Sequence, residues 1–386
     1  MQKSANHIFM EKTDNIESLQ ALRAIAAIVV LFYHGAVLSQ VIIEYQYAHD
    51  FFKFGYAGVD IFFVISGFII YYTSYIKRER LNIIDFILSR LTRIFPIYWV
   101  AAIVTLALFT LEKVILHNNS GNIYYCNPLE TSFSNVLKSL FLIPAACPIL
   151  AVSWTLHFEI LFYTVFGLLF FISSRLFLVV MMVWVVFCYL NNFMLDLDIP
   201  LHIRGILDPD VTEFLYGCVI AIIFLRITPK YAGRILSLGI VLFMLAAIAN
   251  YFAPRSLPYR YVFFGIPSAL IVYGAINFKS KYWKLLNYLG DASYSIYLFH
   301  YSLIGFVFKL ILFAKLTNYF NNFIAVTLIM ILAISVCCFI YSYIEKPILL
   351  YARKQIKFHK SKWTWLDRKR FIPINEVPTV NESAKF

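Results

Sequence analysis

The sequence predicts an all-α protein, a polytopic membrane helix bundle of about ten transmembrane helices with both termini in the cytoplasm. Its 386 residues are 61% hydrophobic, and its mean hydropathy of +0.75 lies far above that of soluble domains. Long apolar runs recur along the chain, and they lack the alternating polarity of membrane β-barrel strands. The composition therefore excludes a soluble enzyme and an outer-membrane barrel.

Ten apolar runs of roughly membrane-spanning length are the predicted helices. They occupy residues 19–39, 58–76, 95–111, 154–172, 176–193, 211–225, 235–252, 261–276, 294–313 and 323–344. One further apolar stretch, residues 136–150, contains Pro144 and Pro148 and is too short to cross, so we interpret it as interfacial or re-entrant.

Lysine and arginine residues set the predicted orientation. With the N-terminus inside, the inner segments hold 24 of the 33 Lys and Arg residues, as the positive-inside rule requires. The net charge of +12 is spread over short loops and the tail, so it indicates topology and no nucleic-acid partner. The predicted organisation is a cytoplasmic N-terminus (1–18), a transmembrane domain (19–345) and a basic cytoplasmic tail (346–386).

The first span contains two ionisable residues, Arg23 and His34. They are eleven residues apart, which is three helical turns, so both side chains lie on one stripe about 16 Å apart. Ionisable groups inside a span are costly and usually face the protein interior or a cavity. An anchoring arginine beside a packed core histidine is the alternative, and the shared stripe favours a functional pair.

The second span begins GVDIFFVISGF and carries an acid at its outer edge. Asp60 and Gly67 share one helix face, where Gly67 permits close backbone approach. Asp60 is either a functional acid or a residue that stabilises the helix N-terminus. Ser66 belongs to the same motif and is a substrate-binding or structural candidate.

The third span is preceded by two arginines, Arg90 and Arg93, one helical turn apart on the inner side. Two guanidinium groups on one turn suit a ligand that carries phosphate. Ordinary positive-inside anchoring is the alternative.

The fourth span begins SWTLHFE and places Glu159 about five residues into the helix, where a carboxylate needs a partner. Trp154, at its start, fits either an interfacial aromatic belt or a substrate contact.

Two later motifs add polar groups to the predicted bundle. Ser293, Tyr297 and His300 follow the spacing i, i+4, i+7 and form a polar stripe that enters the membrane. These groups either contact substrate or hydrogen-bond neighbouring helices. Glu345 closes the last span, where pairing with an inner arginine is the alternative to a functional role.

Together these motifs resemble the acyltransferase-3 family, the integral-membrane acyltransferases that O-acylate bacterial surface carbohydrates. The resemblance covers about residues 17–348, nearly the whole chain, with the motifs in family order. Thr155 stands where the family usually has serine. The matching motifs are the Arg-x10-His pair, GVDIFFVISGF, the R-x-x-R-x-x-P-x-Y run, WTLHFE, SYSIYLFH and the closing E-K-P.

The resemblance implies an enzyme of the bacterial inner membrane whose domain 19–345 transfers an acyl group, expected to be acetyl, from cytosolic acyl-CoA. The implied acceptor is a hydroxyl of an extracytoplasmic or undecaprenyl-linked carbohydrate, in O-antigen, capsule or exopolysaccharide. The family pattern makes His34 catalytic and implicates the arginines in acyl-CoA handling, which here are Arg23, Arg90 and Arg93. Acetyl-CoA is the expected cosubstrate, and no metal is expected.

The chemistry of the residues agrees with this resemblance. An imidazole titrates near neutral pH, so His34 suits a general base that takes the proton of a sugar hydroxyl. The variant is a relay in which His34 itself is acylated. Asp60 or Glu159 orients the imidazole, as a carboxylate does in a triad, and the sequence leaves open which. The remaining substrate-binding or structural candidates are Ser66, Gly67, Trp154, Tyr297, His300 and Glu345.

A transporter or flippase of lipid-linked sugars is the alternative function, because intramembrane charges also mark substrate paths there. Paired interrupted helices in two related halves would favour it. No internal repeat is evident, and the charged motifs are concentrated in the first 160 residues. The sequence leaves the oligomeric state open.

Two of the six cysteines, Cys126 and Cys147, fall in the segment that the charge pattern places outside. A disulfide persists in that oxidising compartment, so we predict a bridge between them; two unpaired thiols are the alternative. The other four lie in apolar spans and are interpreted as small packing residues.

Overall fold

The computed structural model describes residues 16–46, 49–77, 82–115, 128–191, 205–227, 229–252, 260–278 and 284–356. These residues form helices joined by turns, and no strand occurs among them. Seven helices within these ranges are long and apolar enough to cross a membrane, so the chain is a multi-pass membrane protein. The seven are Glu17–Ile43, Lys53–Ile76, Ile83–Ile115, Ala151–Phe170, Ala232–Phe252, Ser293–Phe313 and Phe323–Ile356.

Twelve helices of eight residues or more form the described part of the bundle. In chain order they are α1 (Ile16–Ile43), α2 (Gly58–Ile76), α3 (Ile83–Ile115), α4 (Phe133–Leu140), α5 (Trp154–Phe170), α6 (Ser174–Leu190), α7 (Val211–Arg226), α8 (Ala232–Phe252), α9 (Gly265–Ile276), α10 (Lys284–Asp291), α11 (Ser293–Phe313) and α12 (Phe323–Ile340).

Each of the ten predicted spans coincides with one of these helices, so the all-α membrane bundle is confirmed. Three of the ten, α6, α7 and α9, have 17, 16 and 12 residues and fall outside the seven longer spans. The count of ten crossings and the cytoplasmic termini remain predictions. Most of the predicted N-terminal segment, and the tail beyond residue 356, lie outside the described residues.

Helix α1 packs against α2, α10 and α11, and α2 packs in turn against α7. A Cβ atom added at Gly67 on α2 would lie 2.1 Å from the carbonyl oxygen of Phe214 on α7. One added at Gly217 on α7 would lie 2.1 Å from the carbonyl oxygen of Val64 on α2. The two helices therefore meet backbone to backbone, and the interpretation of Gly67 as a point of close approach is confirmed.

Residues 136–150 do not form a crossing helix: α4 ends at Leu140, and the chain continues in turns. The side chain of Phe133 is 77% exposed, which fits the interfacial interpretation. Asn135 ties the two halves of the segment together, because its Nδ2 donates to the Cys147 carbonyl at 2.5 Å and its Oδ1 accepts from the Cys147 amide at 3.2 Å.

Among the described residues, the cysteines fall into the two predicted classes, one disulfide-bonded and the others free thiols in the helices. Cys147 is disulfide-bonded. Its predicted partner, Cys126, lies outside the described residues. The free thiols are those of the four span cysteines, Cys188, Cys218, Cys337 and Cys338.

The last helix is longer than predicted. The predicted last span ends at residue 344, and the predicted transmembrane domain ends at residue 345. Instead, a π-helical turn at Tyr341–Glu345 follows α12, and the helix continues to Ile356. The wider turn just before Pro347 accommodates the proline ring, so the first residues of the predicted tail belong to the helix.

We expect Gly67→Ala to lower the free energy of unfolding by about 1–3 kcal/mol, because the added methyl group pushes α2 away from α7. Gly233→Ala is the matched control, since a Cβ there meets only Phe278 ring atoms, the nearest at 3.6 Å. The measurement is the thermal stability of detergent-purified protein by fluorescence-detected size exclusion. Equal stability of the two variants would contradict the backbone contact.

We expect Cys126→Ser to make the Cys147 thiol reactive without reduction, because the bridge partner is lost. Closure of a loop of this length contributes about 3 kcal/mol, so the variant should also be less stable. The measurement is alkylation of the unfolded protein, with and without reductant, followed by peptide mass spectrometry. An unlabelled Cys147 in the unreduced variant would show that its partner is a different thiol.

Candidate active site

Two histidines meet in the interior of the bundle, His34 on α1 and His300 on α11. His34 Nδ1 lies 2.9 Å from His300 Nε2, and His300 Nδ1 lies 2.9 Å from the carbonyl oxygen of Ile296. A carbonyl only accepts, so His300 carries its proton on Nδ1 and presents the Nε2 lone pair to His34. His34 Nδ1 is then the donor of the pair, and the lone pair of His34 is on Nε2.

The pair differs in exposure. His300 is fully buried, whereas His34 is partly exposed. Aromatic rings flank His34, with the ring centroid of Tyr301 at 5.2 Å and that of Tyr33 at 5.0 Å. His300 therefore holds the His34 ring through Nδ1, and the lone pair of His34 is on the opposite ring nitrogen, Nε2.

Asp60 does not contact His34. Its buried carboxylate accepts from Arg260, at 2.8 Å from Nη2 to Oδ2 and 3.2 Å from Nε to Oδ1. The prediction that Asp60 orients the catalytic imidazole is therefore wrong, because a guanidinium from the segment before α9 takes the carboxylate. Arg260 is 200 residues away in the chain, and no motif in the sequence pointed to it.

Further charged and aromatic side chains surround the Asp60–Arg260 pair. The Arg260 guanidinium carbon lies 5.1 Å from the Tyr56 ring centroid and 5.8 Å from that of Trp154, which is 37% exposed. Arg260 Nη1 lies 3.8 Å from Asp210 in the loop before α7. Burial raises the pKa of the Asp210 carboxyl to about 7, and the positive charge of Arg260 acts in the opposite direction.

Glu159 on α5 also forms its hydrogen bonds with groups other than His34. It accepts a hydrogen bond from Ser66 Oγ on α2 at 3.4 Å and one from the Tyr163 hydroxyl. The prediction that Glu159 orients His34 is therefore also wrong in this structure. Its carboxylate instead lines a cavity that Arg23 and Arg93 also line.

Two adjoining cavities enter the bundle from the side where α1 begins. The larger has a volume of about 430 Å³, and the smaller, deeper one about 70 Å³. Arg23 and Arg93 line both, together with Ile69 and Tyr294, so the cavities meet at these side chains. Glu345 lines the larger cavity, where it accepts from Ser295 Oγ at 2.5 Å.

The two neighbouring arginines of α3 are separated by the packing. Arg93 lines the cavities, but the Arg90 guanidinium carbon lies 5.4 Å from the Phe86 ring centroid and 5.7 Å from that of Tyr163. Arg90 lines neither cavity, so the expected phosphate-binding pair is wrong as a pair. Arg90 instead stacks on aromatic faces, a contact that a guanidinium favours.

Tyr297 separates the deeper cavity from the histidine pair. It lines that cavity, and its ring centroid lies 6.2 Å from that of His300. Its hydroxyl donates to the Val152 carbonyl at 2.7 Å and accepts from Thr155 Oγ1 at 2.6 Å. Thr155 therefore supplies a side-chain hydroxyl group, as the serine usual at this position of the motif would.

Sequence reasoning also missed a buried ion pair, Lys309 Nζ to Glu112 Oε2 at 2.5 Å between α11 and α3. Each residue alone looks like a span-end charge, and only the packing of the two helices pairs them. No group of three His, Cys, Asp or Glu side chains able to hold a metal occurs in the described ranges.

The family model described as an acyltransferase domain, that of acyltransferase-3, matches residues 16–342. The chain belongs to this family. It is therefore a multi-pass membrane acyltransferase, and the transporter alternative is set aside. No solved structure matches the chain.

Three curated proteins are similar to it. The exopolysaccharide production protein ExoZ of Rhizobium meliloti is 33% identical over 281 residues, 67% of this chain and 79% of that protein. The peptidoglycan O-acetyltransferase OatA of Listeria monocytogenes is 26% identical over 75% of this chain and 49% of that protein. The putative peptidoglycan O-acetyltransferase YrhL of Bacillus subtilis is 24% identical over 75% of this chain and 48% of that protein. The chain thus spans about half the length of the last two.

Proposed function

We propose that the protein is an O-acyltransferase of the bacterial inner membrane that transfers an acetyl group from cytosolic acetyl-CoA to a hydroxyl of an extracytoplasmic or lipid-linked carbohydrate. The observation that carries the proposal is the histidine pair, in which the lone pair of the partly exposed His34 side chain is on Nε2. The names of the relatives, exopolysaccharide production and peptidoglycan O-acetylation, support a carbohydrate acceptor and an acetyl group.

In the direct reaction, His34 Nε2 takes the proton of the acceptor hydroxyl while the hydroxyl oxygen attacks the thioester carbonyl carbon. The carbon–sulfur bond then breaks, and the leaving thiolate receives the proton from the imidazolium. While His34 is protonated, its Nδ1–H donates to His300 Nε2, which holds the ring in place and disperses its positive charge. His300 thus takes the orienting role that the sequence assigned to a carboxylate.

The relay variant uses the same nitrogen. His34 Nε2 attacks the thioester carbonyl carbon, and the carbon–sulfur bond breaks to release the thiolate. The acceptor hydroxyl then attacks the acyl-imidazolium, its proton passes to the thiolate, and the carbon–Nε2 bond breaks to regenerate neutral His34. The proposal keeps both variants, since each needs the Nε2 lone pair and the Nδ1–H bond to His300.

The two cavities are the proposed binding site of the acyl donor. Arg23 and Arg93 provide positive charge where the two cavities meet, and Ser66 and Glu159 line the deeper one. Arg23 lies about 16 Å from His34 along α1. A long thin thioester arm whose phosphate-bearing end lies near the arginines would span this distance to bring its acyl end to the histidine pair, and it would have to pass Tyr297, which separates the deeper cavity from that pair.

We expect His34→Ala to abolish glycan acetylation while leaving membrane expression intact, because removal of a general base costs about 10²–10⁴-fold in rate. The measurement is mass spectrometry of surface glycans from strains with matched protein levels. Near-normal acetylation in this variant would exclude His34 as the catalytic base or relay.

We expect His300→Leu to lower kcat by about 10- to 100-fold with an unchanged KM for acetyl-CoA, because the His34 ring loses its hydrogen-bond acceptor and its orientation. His300→Gln should restore part of the rate, since its amide oxygen still accepts from His34 Nδ1. The measurement is steady-state transfer in proteoliposomes. Equal rates for the Leu and Gln variants would indicate that His300 has only a packing role.

A further inference from the structure

We infer that the helical extension beyond the last span, residues 346–356, forms part of the donor site and that Lys346 and Arg353 bind the phosphate groups of the donor nucleotide. The inference rests on the proposed function and deepens it, because it assigns the part of the donor that the larger cavity recognises. The sequence had placed both residues in a cytoplasmic tail outside the domain.

The position of the two side chains supports the assignment. Lys346 and Arg353 both line the larger cavity. They are seven residues apart on one helix, two turns, so they lie on one face of it. Both are exposed, while Arg23 and Arg93 lie deeper, at the junction with the smaller cavity. The four cations therefore run from the mouth of the cavity inward.

The charge of the cavity favours an anion. Its lining holds four cations and two carboxylates, those of Asp291 and Glu345. One oxygen of Glu345 is already occupied by the Ser295 hydroxyl, at 2.5 Å. The surplus of positive charge suits phosphate groups, which arginine binds in bidentate fashion and lysine as a point charge.

The shape of the two cavities matches a ligand with a bulky end and a thin arm. The mouth region measures about 430 Å³ and the deeper region about 70 Å³. The Ser293 hydroxyl lines the deeper region and is buried without a hydrogen-bond partner among the described residues. Such a group is satisfied when a polar arm enters, and the pantetheine arm of coenzyme A carries amides.

Contacts among three helices hold the extension at this mouth. The hydroxyl of Tyr288 on α10 lies 2.9 Å from Ser342 Oγ and donates to the Cys338 carbonyl at 3.2 Å. A Cβ added at Gly290 on α10 would lie 2.0 Å from the Gln20 carbonyl oxygen on α1, so α10 packs directly on the start of α1. The last helix is therefore held, just before the extension, against α10, and α10 packs on α1 near Arg23.

Anionic lipid headgroups present the same phosphate chemistry next to a membrane. The experiment therefore measures binding of coenzyme A, 3′-dephospho-coenzyme A and pantetheine to purified full-length protein in nanodiscs, once with neutral lipid and once with anionic lipid. The variants are Lys346→Gln and Arg353→Gln. Lys354→Gln is the matched control, since Lys354 is an exposed neighbour on the same helix that does not line the cavity.

We expect each of the two variants to weaken coenzyme A binding by about tenfold, to leave pantetheine binding unchanged, and to behave alike in both lipids. Lys354→Gln should match the wild type. An equal loss in Lys354→Gln would overturn the assignment in favour of general surface charge. Coenzyme A affinity that is unchanged by both variants, with anionic-lipid retention reduced, would overturn it in favour of a headgroup site.

Acetyl transfer by the same preparations separates this inference from the proposed function. Transfer from acetyl-CoA by the wild type, with unaltered coenzyme A affinity in both variants, would refute the inference alone. Wild-type protein that binds coenzyme A through these residues but acetylates no glycan acceptor would refute the proposed function alone.

Discussion

The arrangement of this bundle depends on the cost of ionisable groups in an apolar interior, which favours the pairing of buried charges. Asp60 meets Arg260 at 2.8 Å, and Lys309 meets Glu112 at 2.5 Å. Each pair joins helices that are far apart in the chain. A charge pair thus specifies which helices are neighbours, a choice that apolar packing between similar leucine- and phenylalanine-rich surfaces leaves weakly determined.

The same constraint distinguishes structural charges from those available for chemistry. The carboxylate of Asp60 is bonded to a guanidinium within the protein, so it has little capacity left for a substrate. His34 is different, because its Nδ1 is engaged by a neutral partner, His300, which leaves the lone pair of His34 on its second nitrogen. Arg93 also faces a cavity, whereas Arg90, one turn before it, stacks on Phe86 and Tyr163. Available polar groups therefore cluster along the cavities and at the histidine pair.

The sequence predicted the helices well, because the length of an apolar run is a local property. It also predicted that Arg23 and His34 share one stripe of α1, since periodicity within a helix is local. It failed on the partner of His34, which is 266 residues away, because periodicity does not reveal which helix packs opposite. It also ended the last span at residue 344, where the apolar run stops, whereas the helix continues through a π-helical turn to Ile356.

Helix α1 sets the distance between the two ends of the proposed reaction. The rise of an α-helix is fixed by its hydrogen bonds, so Arg23 and His34 stay about 16 Å apart unless α1 breaks. Helices α10 and α11 pack on the two ends of this interval, through Gly290 against Gln20 and through His300 against His34. A donor held by its phosphates at the inner end must therefore present its acyl carbon at a distance that a rigid element determines. If the site were built on loops, this distance would vary. The rate of acyl transfer would then be lower, because it depends on how closely the reacting atoms are held together.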